Sequence, residues 1–125
     1  MTHDGAITLG WADGEYRFRL AWAQLQALQA ACDAGPGHVL ERLQDNRWRI
    51  DDVEQVLFQG LLGGGAEPAT VRRLIKTYVH EQPLAENIMI AQAVLTAALV
   101  GPPDDEPDMP GKPPAATQPP ENRAS

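Results

Sequence analysis

Asp51-Asp52-Val53-Glu54-Gln55-Val56-Leu57-Phe58-Gln59-Gly60-Leu61-Leu62-Gly63-Gly64-Gly65 is the stretch on which the reading of this chain turns. An acidic first turn opens it, an amphipathic helix follows, and three glycines close it. Acidic side chains suit a helix N-terminus, where the macrodipole favours negative charge. Glycine suits a helix exit because it adopts the left-handed conformation without a Cβ clash. The spacing predicts a helix over about Asp51–Leu62, with Val53, Val56, Leu57 and Leu61 on its apolar stripe. Gly60 falls on that stripe, at a cost of about 1 kcal/mol of helix propensity against Ala. Close approach by another backbone would explain it.

Upstream, a β-hairpin is expected. Ile7, Leu9 and Trp11 alternate with Thr8 and Gly10; Tyr16, Phe18 and Leu20 alternate with Glu15, Arg17 and Arg19. Asp13-Gly14 between them is a favoured two-residue turn. Used as the register, that turn sets Trp11 opposite Tyr16, Leu9 opposite Phe18 and Ile7 opposite Leu20, with all six apolar side chains on one face. A helix follows from Ala21 to about Ala34, its apolar row being Trp22, Leu25, Leu28 and Cys32. Gly35-Pro36-Gly37 stops it, and a short helix from about His38 to Asp45 comes next. Downstream, Pro68 opens a helix over Glu67–His80 with Val71, Leu74, Ile75, Tyr78 and Val79 on one stripe. Pro83 precedes a last helix, Leu84–Val100, that is apolar on most sides and so belongs in the centre of a bundle or against a partner.

After Gly101 the composition changes. Eight of the chain's eleven prolines lie there among acidic and small residues, and Met109 is the only sizeable apolar side chain. Such a stretch buries too little surface to offset the entropy of ordering, so residues 102–125 are expected to be a disordered tail, partly polyproline II. The fold expected is therefore α+β and mainly helical: a hairpin and four or five helices in one domain over residues 1–101, then the tail.

The chain has 125 residues and a net charge of −7, of which −4 belongs to residues 1–101 and −3 to the tail. That balance argues against a dedicated nucleic-acid binder, which needs clustered Lys and Arg. The single cysteine, Cys32, excludes an internal disulfide and suits a reducing compartment. No apolar run approaches the roughly 20 residues of a membrane span, and the N-terminus lacks a signal-peptide pattern. A cytoplasmic protein is the expectation.

Residues that could carry chemistry read better as structure. The glycines of 60–65 follow a helix instead of preceding one, and Ala66-Glu67 stands where a phosphate-binding loop requires Lys. Cys32 lies on an apolar row with no evident base beside it. His3, His38 and His80 match no metal-ligand spacing. Asp51, Asp52 and Glu54 lack the surroundings of a calcium loop. Arg17, Arg19, Arg42, Arg47, Arg49, Arg72, Arg73 and Lys76 read as a solvated or partner-facing surface before they read as a nucleic-acid patch. No enzyme is indicated: no catalytic residue, no metal site and no cofactor.

Taken together, Gly14-Glu15-Tyr16-Arg17-Phe18-Arg19-Leu20, Arg42-Leu43, Trp48, the acidic pair Asp51-Asp52, the glycines Gly60, Gly63, Gly64 and Gly65, and Pro83-Leu84 with Ala91 to Leu99 form a recognisable series. From about Ile7 to Gly101 the chain resembles the gene-transfer-agent family of phage tail assembly chaperones, also described as tail tube-associated proteins. The resemblance implies a non-catalytic role in building the tail of a gene transfer agent or prophage. The implied partner is the tape measure protein or the tail tube protein, with a second copy of the chain as a further candidate. It implies a host-cytoplasmic or virion-associated location, and the charge and hydropathy set out above give no nucleic-acid or membrane partner. Trp11, Tyr16, Phe18 and Trp22 are the candidate partner-binding anchors, weighed against a plain role in the core; the last helix is the other candidate surface. The alternatives are a structural tail tube-associated component retained in the particle and, from another class, a small regulatory or DNA-associated helical protein.

Overall fold

Strands Ile7–Trp11 (β1) and Gly14–Phe18 (β2) form the expected antiparallel hairpin in a computed structural model that describes residues 4–101. Its register differs from the one Asp13-Gly14 predicts. Ile7 pairs with Phe18, Leu9 with Tyr16 and Trp11 with Gly14, so the turn residues are Ala12 and Asp13. Ala12 takes a positive φ of 57°, which disfavours a side chain by about 1 kcal/mol. Two features compensate. The Tyr16 hydroxyl donates to the Asp13 carboxylate across the turn, and the Trp11 indole stands opposite a residue with no side chain. A shift of two residues keeps every side chain on its face, so the apolar side of the hairpin is as expected although the pairing is not.

Helix α1 spans Trp22–Cys32 and ends at Asp33, which has a positive φ of 53°. Helix α2, Pro36–Gln44, begins earlier than expected. Gly35 is its N-cap and Pro36 its first residue, where a missing N–H and a fixed φ are harmless. Thus Gly35-Pro36-Gly37 starts a helix as much as it stops one. Helix α3, Ile50–Gly63, carries the predicted stripe: Val53, Val56, Leu57, Gly60 and Leu61 are all buried. Helix α4, Pro68–Ile75, continues through a π-helical turn, Lys76–His80, and helix α5, Ile88–Val100, follows a 3-10 turn, Leu84–Asn87.

The sequence pattern predicts two uninterrupted helices over Glu67–His80 and Leu84–Val100, and one buried side chain accounts for much of the departure. Asn87 donates its amide to the Tyr78 carbonyl (3.0 Å), an acceptor that a helix end leaves unsatisfied. Its own carbonyl oxygen accepts the Trp11 indole N–H (2.7 Å). The π turn, the 3-10 turn and the hairpin meet at this amide.

α3 lies at the centre and touches α1, α2, α4, α5 and β2. Its stripe meets Phe18, Leu28, Leu43, Leu74 and Leu95 in one core. The glycines set how close that contact is. A Cβ on Gly60 would come within 3.1 Å of Val94 and 3.2 Å of Phe18, so side chains press on it and not, as expected, a backbone. The backbone approach occurs a turn later. A Cβ on Gly63 would overlap the Arg19 carbonyl oxygen, and one on Gly64 the Arg17 carbonyl oxygen. The Arg19 N–H donates to the Gly60 carbonyl (2.9 Å). The helix therefore runs one residue further than predicted, to Gly63, and only Gly65, at φ 107°, uses the left-handed region. The expected tail, residues 102–125, lies outside the described residues.

Two glycine substitutions should move stability in opposite directions. Gly63→Ala forces the Arg19 backbone, just past the end of β2, away from α3 and should cost about 3 kcal/mol, as overpacking does. Gly37→Ala adds a Cβ that meets nothing within 4 Å, and should gain about 0.5 kcal/mol by restricting the unfolded chain. Urea denaturation of both variants measures the two signs.

Candidate functional site

The four candidate anchors occupy different places. Phe18 is fully buried and Trp11 is 8% exposed. Trp11 meets Tyr16, Phe18 and Tyr78 edge-on at centroid distances of 5.8, 5.9 and 6.0 Å. These geometries favour aromatic pairs and bind the hairpin face to the π turn at Tyr78 from within. Tyr16 is half-buried, and its phenol pKa is raised, first by the hydrogen bond to Asp13. Trp22 stands apart at 76% exposed. Helical geometry explains it: at about 100° per residue, Trp22 lies about 80° from Cys32 and about 120° from Leu28, at the margin of the buried stripe.

Trp22 borders a surface groove of about 430 Å³. Leu25 from α1, Pro36 from α2 and Leu99 from the end of α5 form its apolar walls, and Gln26 and Gln29 supply polar atoms. Val100, 78% exposed, follows Leu99 on the chain. The last helix thus contributes a central face to the core, through Ala91, Val94, Leu95 and Ala97, and an apolar end to the surface. Met89 and Ile50 are exposed elsewhere.

The acidic pair opening α3 divides its labour. Asp51 is exposed. Asp52 is 0% exposed and sits in a polar clip: it accepts from Arg42 Nε at 3.0 Å, from Arg42 Nη2 at 2.6 Å and from the Arg49 backbone N–H at 2.8 Å. Arg42 Nη2 and Arg49 Nη1 also reach the Cys32 carbonyl, each at 3.5 Å. An acid at the start of α3 and cations at the end of α1 both suit the helix dipoles, and the two-pronged Arg–carboxylate contact fixes geometry as well as charge. Helix-terminal charge predicts Asp52's position but not its partner, because nothing local relates Arg42 to a carboxylate ten residues on.

That clip takes Arg42 out of the expected basic surface. Arg17 and Arg19 face Asp4 at 3.4 and 3.6 Å, and the Asp4 carboxyl is held below its ordinary pKa, first by the Ala6 N–H and then by the two arginines. Arg72, Arg73 and Lys76 are exposed, and Lys76 lies 3.9 Å from Glu81. Cys32 is buried, and burial first of all pushes its thiol up to about 12. A thiol so placed packs as a small hydrophobe. Among the described residues no three of His, Cys, Asp and Glu gather as metal ligands would, and no helix is long and apolar enough to cross a membrane.

Asp52→Ala should cost about 3–5 kcal/mol, because it strands Arg42 beside a core, whereas Asp51→Ala should stay within about 1 kcal/mol; thermal and urea denaturation compare them. Because Cys32 is buried and its thiol is held well above its ordinary pKa, it should resist an aqueous thiol reagent in the folded chain and react fully in denaturant. Rapid labelling of the folded chain would contradict its placement.

Searches among curated proteins and among solved structures found no match. A family model described as phage tail tube protein, GTA-gp10, matches residues 4–101, the same span that holds the hairpin, the glycine-terminated helix and the closing helix. A match over so much of the sequence settles the family: the chain belongs to the phage tail tube protein family GTA-gp10, of gene transfer agents and phage tails.

Proposed function

We propose that this chain is a non-catalytic tail assembly protein that holds the tape measure protein while the tail is built, and that the Trp22–Leu99 groove is its docking surface. One observation carries the reading. Trp22 leaves 76% of its surface exposed beside Leu25, Pro36 and Leu99, whereas Trp11 and Phe18 are consumed by the core. Large aromatic side chains dominate binding energy when a partner covers them. A tape measure protein is long and largely helical, and apolar side chains on a helix fit such a groove. The other three aromatics then act indirectly, by holding the hairpin against the bundle.

A second reading, a structural component retained in the tail, draws on the description of the family as a tail tube protein. Purified particles separate the two: an assembly chaperone should be missing from them and a tube component abundant. Both readings place the protein in the host cytoplasm at first, and the second also in the particle.

Trp22→Ala tests the surface. Trp22 is exposed, so folding stability should change by no more than about 0.5 kcal/mol, while affinity for the co-expressed tape measure protein should fall tenfold or more, about 1.4 kcal/mol. Phe18→Ala should instead lose about 3–5 kcal/mol of stability. Unchanged binding by Trp22→Ala in gel filtration and calorimetry would remove the groove from the account.

A further inference from the structure

The two edges of the hairpin differ. The β2 side is tied to α3 by the Arg19 N–H bond to the Gly60 carbonyl. Among the described residues β1 pairs with β2 alone, so its other edge is open. The two-residue turn Ala12-Asp13 makes Trp11 and Gly14 a hydrogen-bonded pair. Alternation along the ladder does the same for Leu9 with Tyr16 and Ile7 with Phe18. The backbone N–H and C=O of Thr8 and Gly10 then point outward. Both residues are exposed, and these groups have no hydrogen-bond partner among the described residues. Ala6, next in that series, is different: its N–H donates to the Asp4 carboxylate at 3.0 Å, which closes the edge at that end. Proteins guard open edges with Lys, Pro or a bulge. Ile7–Trp11 contains no charge and no proline, and its register with β2 is unbroken.

We propose that β1 pairs antiparallel with β1 of a second copy about a two-fold axis through Leu9, joining two hairpins into one four-stranded sheet. That axis sets Thr8 opposite Gly10 of the second copy, and Gly10 opposite its Thr8. Each pair exchanges both of its bonds, so every outward N–H and C=O of Thr8 and Gly10 is satisfied. An axis through Thr8 or Gly10 would pair one of them with itself and send the other to Ala6 or Ala12, and the Ala6 N–H is already taken. On the apolar face Leu9 meets Leu9 across the axis and Ile7 meets Trp11, pairs that suit adjacent strands. The pairing also gives Gly10 a reason. Its φ is not positive, and a Cβ added there meets nothing within 4 Å. Nothing inside the chain demands glycine at this point, whereas glycine within a strand often marks the approach of another backbone. Charge does not oppose the contact. α5 runs along β1 in the opposite direction, with Asn87 at Trp11 and Ala98 at Gly5. Ile88–Val100 holds no charged residue, although Met89, Leu99 and Val100 are exposed. A second copy approaching β1 and α5 therefore desolvates no ion on either element. A sheet of two strands is marginal by itself, and a symmetric pair doubles it.

Hydrogen exchange and isotope-filtered nuclear magnetic resonance on the full chain test the pairing. Protection of the Thr8 and Gly10 amides should rise at least about tenfold as the chain is concentrated. In a mixture of labelled and unlabelled chains, the filtered spectrum should show the Leu9 Hα–Hα contact that a non-hydrogen-bonded antiparallel pair creates. Thr8→Pro removes an outward N–H that the hairpin itself does not use. It should weaken self-association in sedimentation equilibrium at least about tenfold, with the fold unchanged by circular dichroism. A chain that stays monomeric, with Thr8 and Gly10 amides that exchange freely at every concentration, overturns the proposal. A dimer that leaves those amides unprotected, or that lacks the Leu9 contact, associates through another surface or register and overturns it as well. The exchange and contact measurements use the unaltered chain, so they decide the matter even where Thr8→Pro fails to fold. Neither Thr8 nor Gly10 lines the Trp22–Leu99 groove. Trp22→Ala should leave self-association as it is, and failure here leaves the tape measure reading to its own test.

Discussion

The close approach of α3 to the outer edge of β2 is the constraint on which the rest depends. Gly60, Gly63 and Gly64 let the helix lie against the strand so tightly that two backbone carbonyls, of Arg17 and Arg19, fill the space where side chains would stand. The Arg19 N–H to Gly60 carbonyl bond then ties strand to helix. This contact fixes the hairpin over the bundle, and so fixes where Trp11 meets Asn87 and where Phe18 enters the core. It also occupies part of the β2 edge, which would otherwise be open to pairing with another chain. The glycines that look like punctuation in the sequence serve mainly as a packing surface.

A second set of contacts holds the other end of α3. Asp52, Arg42 and Arg49 join the end of α1, the last turn of α2 and the start of α3 through charged hydrogen bonds. Such a buried pair adds little net stability over a well-packed apolar alternative but is expensive to break on one side. Its effect is to specify the angle between three short helices. With the two ends of α3 held in this way, α1 and the end of α5 come to flank one groove, and Trp22 is left outside the core beside it.

Much of this was legible in advance. Alternation gave the hairpin, and the spacing of Val53, Val56, Leu57 and Leu61 gave the central stripe, because burial periodicity is a local property of the chain. What was not legible depended on distant partners. The hairpin register hinged on what Trp11 meets across the fold, together with the local Tyr16–Asp13 bond, and the favoured Asp-Gly turn gave way by two residues. Asn87 gave no sign of taking the Trp11 indole 76 residues away. Trp22 sat at the edge of its helical stripe, where the pattern alone leaves inside and outside close to equal. The groove it borders combines three elements whose mutual placement no sequence window contains. The family, by contrast, was readable from the glycine exit and the hairpin together, and the family match over residues 4–101 agrees.

Native-state hydrogen exchange at the Arg19 amide tests the central claim most directly. If the seating of α3 on β2 holds the fold together, this amide opens only when the whole domain unfolds. Its exchange free energy should then equal the global unfolding free energy and fall with urea at the same slope. An Arg19 amide that exchanges several kcal/mol below the global value, together with the hairpin amides and with little urea dependence, would mean that the hairpin lifts off an intact bundle, and would contradict the account.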